Sequence, residues 1–253
     1  MKETASSGPT PHLIFGIRPV IEALEAGKEI DKIFLQKGLQ GDVVRELHAA
    51  LKARNFQAKV VPIEKLNRLT RKNHQGVVAF LSPIAFADLE NTLMAVFEKG
   101  VVPLVLMLDH LTDVRNFGAI VRTAECAGVH AIIVPEQGAA AINGDAVKTS
   151  AGALMRVPLC RVAHLRDAAF LLQQMGLQLV ACTEKTSSEI YAPDYTKPTA
   201  IIMGNEETGI SNNLIKVADY LARIPMLGEI GSLNVSVSAG VILYEAVRQR
   251  VQA

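Results

Sequence analysis

Leu104-Val105-Leu106-Met107-Leu108, followed from residue 113 by Asp113-Val114-Arg115-Asn116-Phe117-Gly118-Ala119-Ile120-Val121-Arg122-Thr123-Ala124, decides the fold class of this chain. Five consecutive apolar residues between Pro103 and Asp109 read as a strand buried on both faces. Such strands belong to parallel sheets with helices on either side. The second stretch starts polar and then repeats Phe117, Ile120, Val121 and Ala124 at helical spacing, predicting a helix near 117–127. Asn116 is placed to cap it, and Gly118 lets another backbone come close. The loop between them lies at a strand's carboxyl end, where open α/β sheets bind ligands. Taken alone, the segment reads equally as a capped core helix with an exposed arginine at 122.

The alternation continues in both directions. Downstream it predicts strands at 131–134, 178–181 and 200–203, and helices at 165–175 and 239–250. Upstream, residues 12–84 read as a smaller α/β domain, with helices at 18–26, 42–54 and 64–71 and strands at 32–36, 59–61 and 76–81. Residues 85–101 form a connector, helical from 89 to 97. Residues 102–253 form the second domain. The first eleven residues, with Ser, Gly, Thr and two prolines but no apolar stretch, read as a disordered tail without a signal peptide.

Composition narrows the function. At 253 residues and 49% hydrophobic content, the chain can bury two cores. Its longest apolar run, 101–108, is broken by Pro103 and falls far short of the roughly 20 residues of a membrane helix. Cys126, Cys160 and Cys182 are odd in number and contain no CxxC pair. This argues against a disulfide framework or zinc site and for a reducing cytoplasm. The overall charge of +1 hides an asymmetry: residues 1–86 carry net +5 and the rest net −4. Lys65, Arg68, Arg71 and Lys72 cluster about one basic helix, where Lys65, Arg68 and Lys72 share a face suited to a phosphate backbone. A merely solvated helix is the plain alternative.

Two further segments are distinctive. Ile201-Ile202-Met203-Gly204-Asn205-Glu206-Glu207-Thr208-Gly209-Ile210 runs an apolar strand into a loop with a glycine at each end. The two acids argue against a phosphate cradle, and the lysine of a P-loop is missing. Ile224-Pro225-Met226-Leu227-Gly228 precedes Gly231-Ser232-Leu233-Asn234-Val235-Ser236-Val237-Ser238-Ala239-Gly240, a glycine-rich loop leading into a helix of small residues. No G-x-S-x-G elbow surrounds these serines, so hydrolysis is not supported. No G-x-G-x-x-G occurs, so neither is a dinucleotide site.

In this order and spacing the three segments resemble the motifs of the SpoU-type (TrmH) RNA ribose 2′-O-methyltransferases of the knotted SPOUT superfamily. The nearest resemblance is to members that methylate a guanosine of 23S ribosomal RNA. The front domain, including His74-Gln75-Gly76-Val77-Val78-Ala79, resembles the family's L30e-like substrate-binding domain. The resemblance implies a trefoil knot in the last third of the catalytic domain and a homodimer built over it. It implies S-adenosylmethionine held by the backbone at Gly204, Ile224 and Leu233, with Met226 and Ser232 close by. Asn116, Arg122, Glu206, Ser232 and Asn234 match the polar active-site positions.

Departures are Glu207 where many relatives have glycine, Arg115 where His or a small residue is common, and Met155 where an acid is frequent. They leave open which RNA is the target. On this reading Arg122, which stays protonated in proteins, grips a phosphate and steadies the developing alkoxide, while a phosphate oxygen or water takes the proton. Asn116 and Asn234 orient the ribose or Arg122, Glu206 fixes Arg122 or a loop amide, and no metal is needed. The same chemistry on transfer RNA, or a silent RNA-binding protein of this fold, remains compatible with the sequence.

Overall fold

The computed structural model describes residues 13–54 and 56–252. The tail expected at residues 1–11 lies outside them. Two units separate, one up to Ala85 together with 142–144, and one formed by the rest.

The first unit is a four-stranded mixed sheet with three helices. Its elements are β1 (Leu13–Phe15), α1 (Ile17–Glu25), β2 (Ile30–Gln36), α2 (Asp42–Ala53), β3 (Lys59–Val61), α3 (Ile63–Leu69) and β4 (Val77–Leu81), in the sheet order β1-β4-β2-β3. Only β2 and β3 pair in parallel. Alternation along β2 divides the core. Ile33 and Leu35 join Val20, Leu24, Leu47 and Leu51 from α1 and α2, while Phe34 joins Val61, Leu66 and Val78 under α3. Each such side chain contributes about 1.5–3 kcal/mol on burial.

The His74-Gln75-Gly76 turn has a structural task. Gln75, at φ 51°, accepts the Ile17 N–H with Oε1 and so caps α1. Gly76 adopts φ 78°, a left-handed conformation that L side chains rarely take, and a Cβ there would also press on the Leu39 and Gln36 side chains. Sequence periodicity missed β1, because a three-residue edge strand exists only through its pairing with β4. The basic helix also ends earlier than expected. Thr70 is extended at φ −152°, so Arg71 and Lys72 lie beyond α3 and Lys72 does not share a helical face with Lys65 and Arg68.

The second unit begins in the expected connector, whose helix α4 (Leu89–Glu98) buries Leu89 and Leu93 in this unit's core. There follow β5 (Leu104–Leu108), α5 (Val114–Cys126), β6 (Ala131–Pro135), α6 (Gly144–Thr149) and β7 (Leu159–Val162). After these come α7 (Leu165–Gln174), β8 (Gln178–Cys182), β9 (Thr199–Met203), α8 (Asn212–Ile215), β10 (Tyr220–Ala222) and α9 (Val235–Gln252). All six strands are parallel, in the order β10-β8-β9-β5-β6-β7.

Central strands β5, β6 and β9 are buried along their whole length, as a sheet covered on both faces requires. One face receives α4, α7 and α8, and α5 packs on α9. The far end of α9 is pinned by Arg250. Its guanidinium donates to the carbonyls of Tyr195, Val102 and Pro103 at 2.8 Å and of Lys197 at 3.1 Å, tying the helix to the starts of β5 and β9.

The chain leaves β5 toward β6 and β7, then returns to fill the other side with β8, β9 and β10. The order therefore reverses between β5 and β9, and open α/β sheets place their ligand crevice at such a point.

Candidate active site

Three chain segments meet beyond the carboxyl ends of β5 and β9. The first is the start of α5. Asp113, rather than Asn116, caps it by accepting the Asn116 N–H at 2.8 Å. That frees the Asn116 side chain to reach elsewhere. Gly118 is required because a Cβ there would fall 2.0 Å from Thr149 Oγ1 and 3.0 Å from the Ser150 nitrogen. The expected close approach is that of the end of α6.

The second segment is the loop after β9. Asn205 and Gly209 exchange backbone hydrogen bonds, Asn205 N–H to Gly209 O at 3.2 Å and Gly209 N–H to Asn205 O at 2.8 Å. This tight turn brings the two strands of the loop together at Gly204, where a Cβ would lie 2.2 Å from the Gly209 carbonyl carbon. The turn projects Glu206. Asn205 Nδ2 also donates to the His110 carbonyl at 3.1 Å, tying the loop to the end of β5.

The third segment is the start of α9, where Asn234 Oδ1 accepts the Ser236 N–H at 3.0 Å. Glu206 Oε1 joins all three. It accepts from Asn234 Nδ2 at 2.6 Å, Val235 N–H at 3.0 Å and Asn116 Nδ2 at 3.2 Å, and Asn234 Nδ2 also reaches Asn116 Oδ1 at 3.1 Å. Two tasks were expected for Glu206, Arg122 or a loop amide; in the structure it takes the first backbone N–H of α9, at Val235, and makes no bond to Arg122. Arg122 is exposed on α5, with no hydrogen bond or ion pair among the described residues.

Beside this junction is a cavity of about 380 Å³, within the range of small-molecule sites. It is lined by Gly204, Glu206, Ile224, Met226, Ser232 and Leu233 among others, so all five expected cofactor positions share one cavity wall. Asn116, Asn234 and Arg122 do not line it. Three of its lining residues, Gly204, Gly209 and Gly231, are glycines, which leave main-chain donors and acceptors uncovered and so suit a ligand rich in polar groups such as S-adenosylmethionine.

Sequence reading missed Thr183, Glu184, Glu189 and Arg223 in the same wall. For Thr183, Glu184 and Arg223 the signal was position, directly after β8 and β10, but β10 is three residues long and escaped periodicity; Glu189 is brought in by its backbone bridge to Arg223. Cys182 also lines the cavity. Burial first, and the nearby Glu184 charge second, push its thiol up to about 12, so it is a neutral wall atom. The basic residues Lys65, Arg68, Arg71 and Lys72 belong to the first unit and are all exposed. Lys65 Nζ stands 4.9 Å over the Phe34 ring and Lys72 Nζ 5.5 Å over the Phe15 ring.

Comparison with known proteins agrees with this geometry. The SpoU rRNA Methylase family matches residues 103–244, and an RNA 2′-O ribose methyltransferase substrate-binding domain matches residues 13–87. A TrmH family tRNA/rRNA methyltransferase of Staphylococcus haemolyticus is 32% identical over 95% of this chain and 96% of its own. The SpoU methyltransferase AviRb of Streptomyces viridochromogenes, crystallised with S-adenosylmethionine, superposes with a TM-score of 0.60 at 29% identity, over 95% of this chain and 91% of its own. An S-adenosylmethionine-bound rRNA methyltransferase of Sinorhizobium meliloti gives 0.58 at 28% identity, over 94% and 87%. With the catalytic match covering more than half of its length and the substrate-binding match preceding it, this chain belongs to the SpoU rRNA methylase family.

Proposed function

We propose that this protein methylates a ribose 2′-hydroxyl of 23S ribosomal RNA, at a guanosine, with S-adenosylmethionine as methyl donor. The carrying observation is the Asn116–Glu206–Asn234 junction at the edge of a loop-lined cavity, with an unpaired arginine on the same helix as Asn116. The bound cofactor supplies a methyl group already activated on a sulfonium, so the protein has chiefly to position groups and stabilise charge. Gly204, Ile224 and Leu233 hold it through main-chain groups, with Met226 and Ser232 alongside.

Asn116 and Asn234 are positioned by Glu206 to orient the ribose. Arg122 grips the adjacent phosphate and steadies the alkoxide as the hydroxyl proton leaves for a phosphate oxygen or water. In the first unit, Lys65, Arg68, Arg71 and Lys72 hold the RNA backbone. The ribosomal target is supported by the family's name, by the rRNA methyltransferase among the structural neighbours and by the separate substrate-binding unit. The catalytic unit closes as a trefoil knot in its last third. It pairs in a homodimer through the apolar stripe Val237, Val241 and Tyr244, exposed at heptad-like spacing on α9. The three free cysteines fit a reducing cytoplasm.

The test is 2′-O-methyl mapping of ribosomal and transfer RNA after incubation with wild-type protein, Arg122→Ala and Arg122→Lys. One guanosine of 23S RNA gains a methyl with wild type, and both variants lose about a hundredfold or more, since a lysine point charge does not reproduce a bidentate grip. Methylation confined to transfer RNA overturns the ribosomal assignment. Near-native turnover by Arg122→Lys overturns the phosphate grip.

A further inference from the structure

The cavity wall carries three carboxylates, Glu184, Glu189 and Glu206, against one guanidinium, Arg223. Glu206 is committed to the junction at α5 and α9. Glu184 and Glu189 are not committed: neither side chain forms a hydrogen bond or ion pair among the described residues. Their backbone is nonetheless fixed. Thr183 N–H donates to Ala222 O, Arg223 N–H to Ser188 O and Ile190 N–H to Arg223 O, each at 2.9 Å. These bonds extend the β8–β10 pairing past the strand ends and hold the backbone that carries both glutamates at the cavity wall.

Two unpaired anions on a rigid wall are an electrostatic feature in want of a cation. The methyl donor provides one, whereas its product does not. S-adenosylmethionine bears a sulfonium, an ammonium and a carboxylate, net +1, and S-adenosylhomocysteine bears a neutral thioether, net zero.

We infer that Glu184 and Glu189 make this cavity discriminate the cofactor from its spent form by charge, favouring loading of the donor and release of the product. The inference rests on the cavity being the cofactor site. The field acts through space, so it needs no direct contact with sulfur. Glu184 is exposed and Glu189 half-buried, so the effect is salt-sensitive.

Titration calorimetry with both ligands, on wild type, Glu184→Gln, Glu189→Gln and the double variant, tests this without any turnover. Each single variant loses about three- to tenfold in affinity for S-adenosylmethionine and less than about twofold for S-adenosylhomocysteine, the order expected for removing one screened charge from a site wall. In wild type the preference shrinks between low and high salt. Thermal melts check that the variants remain folded. A parallel loss for both ligands assigns the glutamates to the shared adenosine or amino-acid portion and overturns the inference, as does no change for either. Wild-type protein that binds neither ligand refutes the cofactor site itself, and the inference with it.

Discussion

Asn234 Nδ2 donates to Glu206 Oε1 at 2.6 Å across 28 residues of chain, and the same oxygen takes Val235 N–H and Asn116 Nδ2. One carboxylate oxygen thus fixes the starts of two helices against the loop after β9. Glu206→Ala releases all three donors. Because Glu206 is exposed, water replaces it at a cost of about 1 kcal/mol or less. Methyl transfer, which needs the geometry, falls by about a hundredfold. Glu206→Gln keeps an acceptor oxygen and retains more activity than alanine. A radiolabelled-methyl assay showing wild-type turnover for the alanine variant contradicts the junction's role.

Gly204 tolerates no side chain, since a Cβ there meets the Gly209 carbonyl carbon at 2.2 Å. Gly204→Val must open the loop that forms one wall of the cavity. Affinity for S-adenosylmethionine falls at least about tenfold, and the melting temperature drops as the loop is displaced. Calorimetry that finds the affinity unchanged removes this loop from the cofactor site.

His130 makes the second unit acid-sensitive. Its Nδ1 accepts the Leu104 N–H at 3.0 Å, a bond only the neutral ring makes. Burial lowers its pKa below the usual 6.5, and the charges of Arg250 and Lys99 push the same way. The folded state therefore holds this proton less well than the unfolded chain. Its contribution is complete above about pH 6.5 and is lost as pH falls through the lower folded value, at about 1.4 kcal/mol per unit of difference. In His130→Asn the amide oxygen accepts without titrating, so denaturant midpoints at pH 7.5 and 5 lie closer together than in wild type. An equal pH dependence in both proteins excludes His130 as the source.

Reversing Arg68 and Lys72 to glutamate removes two exposed cations from the first unit. RNA affinity weakens, and the slope of log affinity against log salt flattens by roughly 0.7–0.9 for each phosphate no longer neutralised. Cofactor affinity, measured on the same samples, stays as in wild type. A salt slope equal to wild type shows that these side chains do not touch phosphate.

Much of the framework was local enough to read in the chain. β5 and β9 announce themselves as unbroken apolar runs because both faces of a parallel sheet are buried, and α2 and α7 as stripes because only one face is. One steric demand was equally legible: Gly118 stands where another segment comes close, and the structure supplies the Thr149 side chain and the Ser150 nitrogen, whereas the crowding of Gly204 against Gly209 appears only in the fold. The five expected cofactor positions lie on three separated stretches of sequence, yet they line one cavity.

Relations between distant segments were beyond local reading. β1 and β10, three residues each, have no periodicity to detect and exist through their hydrogen-bonded neighbours. The cap of α5 is Asp113 and not Asn116, because the helix begins at Val114 and Asn116 already lies in its first turn, with its side chain left to reach Glu206, ninety residues on. Lys72 left the basic helical face because α3 ends at Leu69. Glu184 and Glu189 entered the cavity wall only when β8 and β10 were laid side by side. Burial patterns and turn chemistry are written in neighbouring residues, so the layers of this fold and its tight turns follow from the chain alone. Strand order and the partner of each polar side chain depend on which remote segment fills the space, and that is settled only by folding.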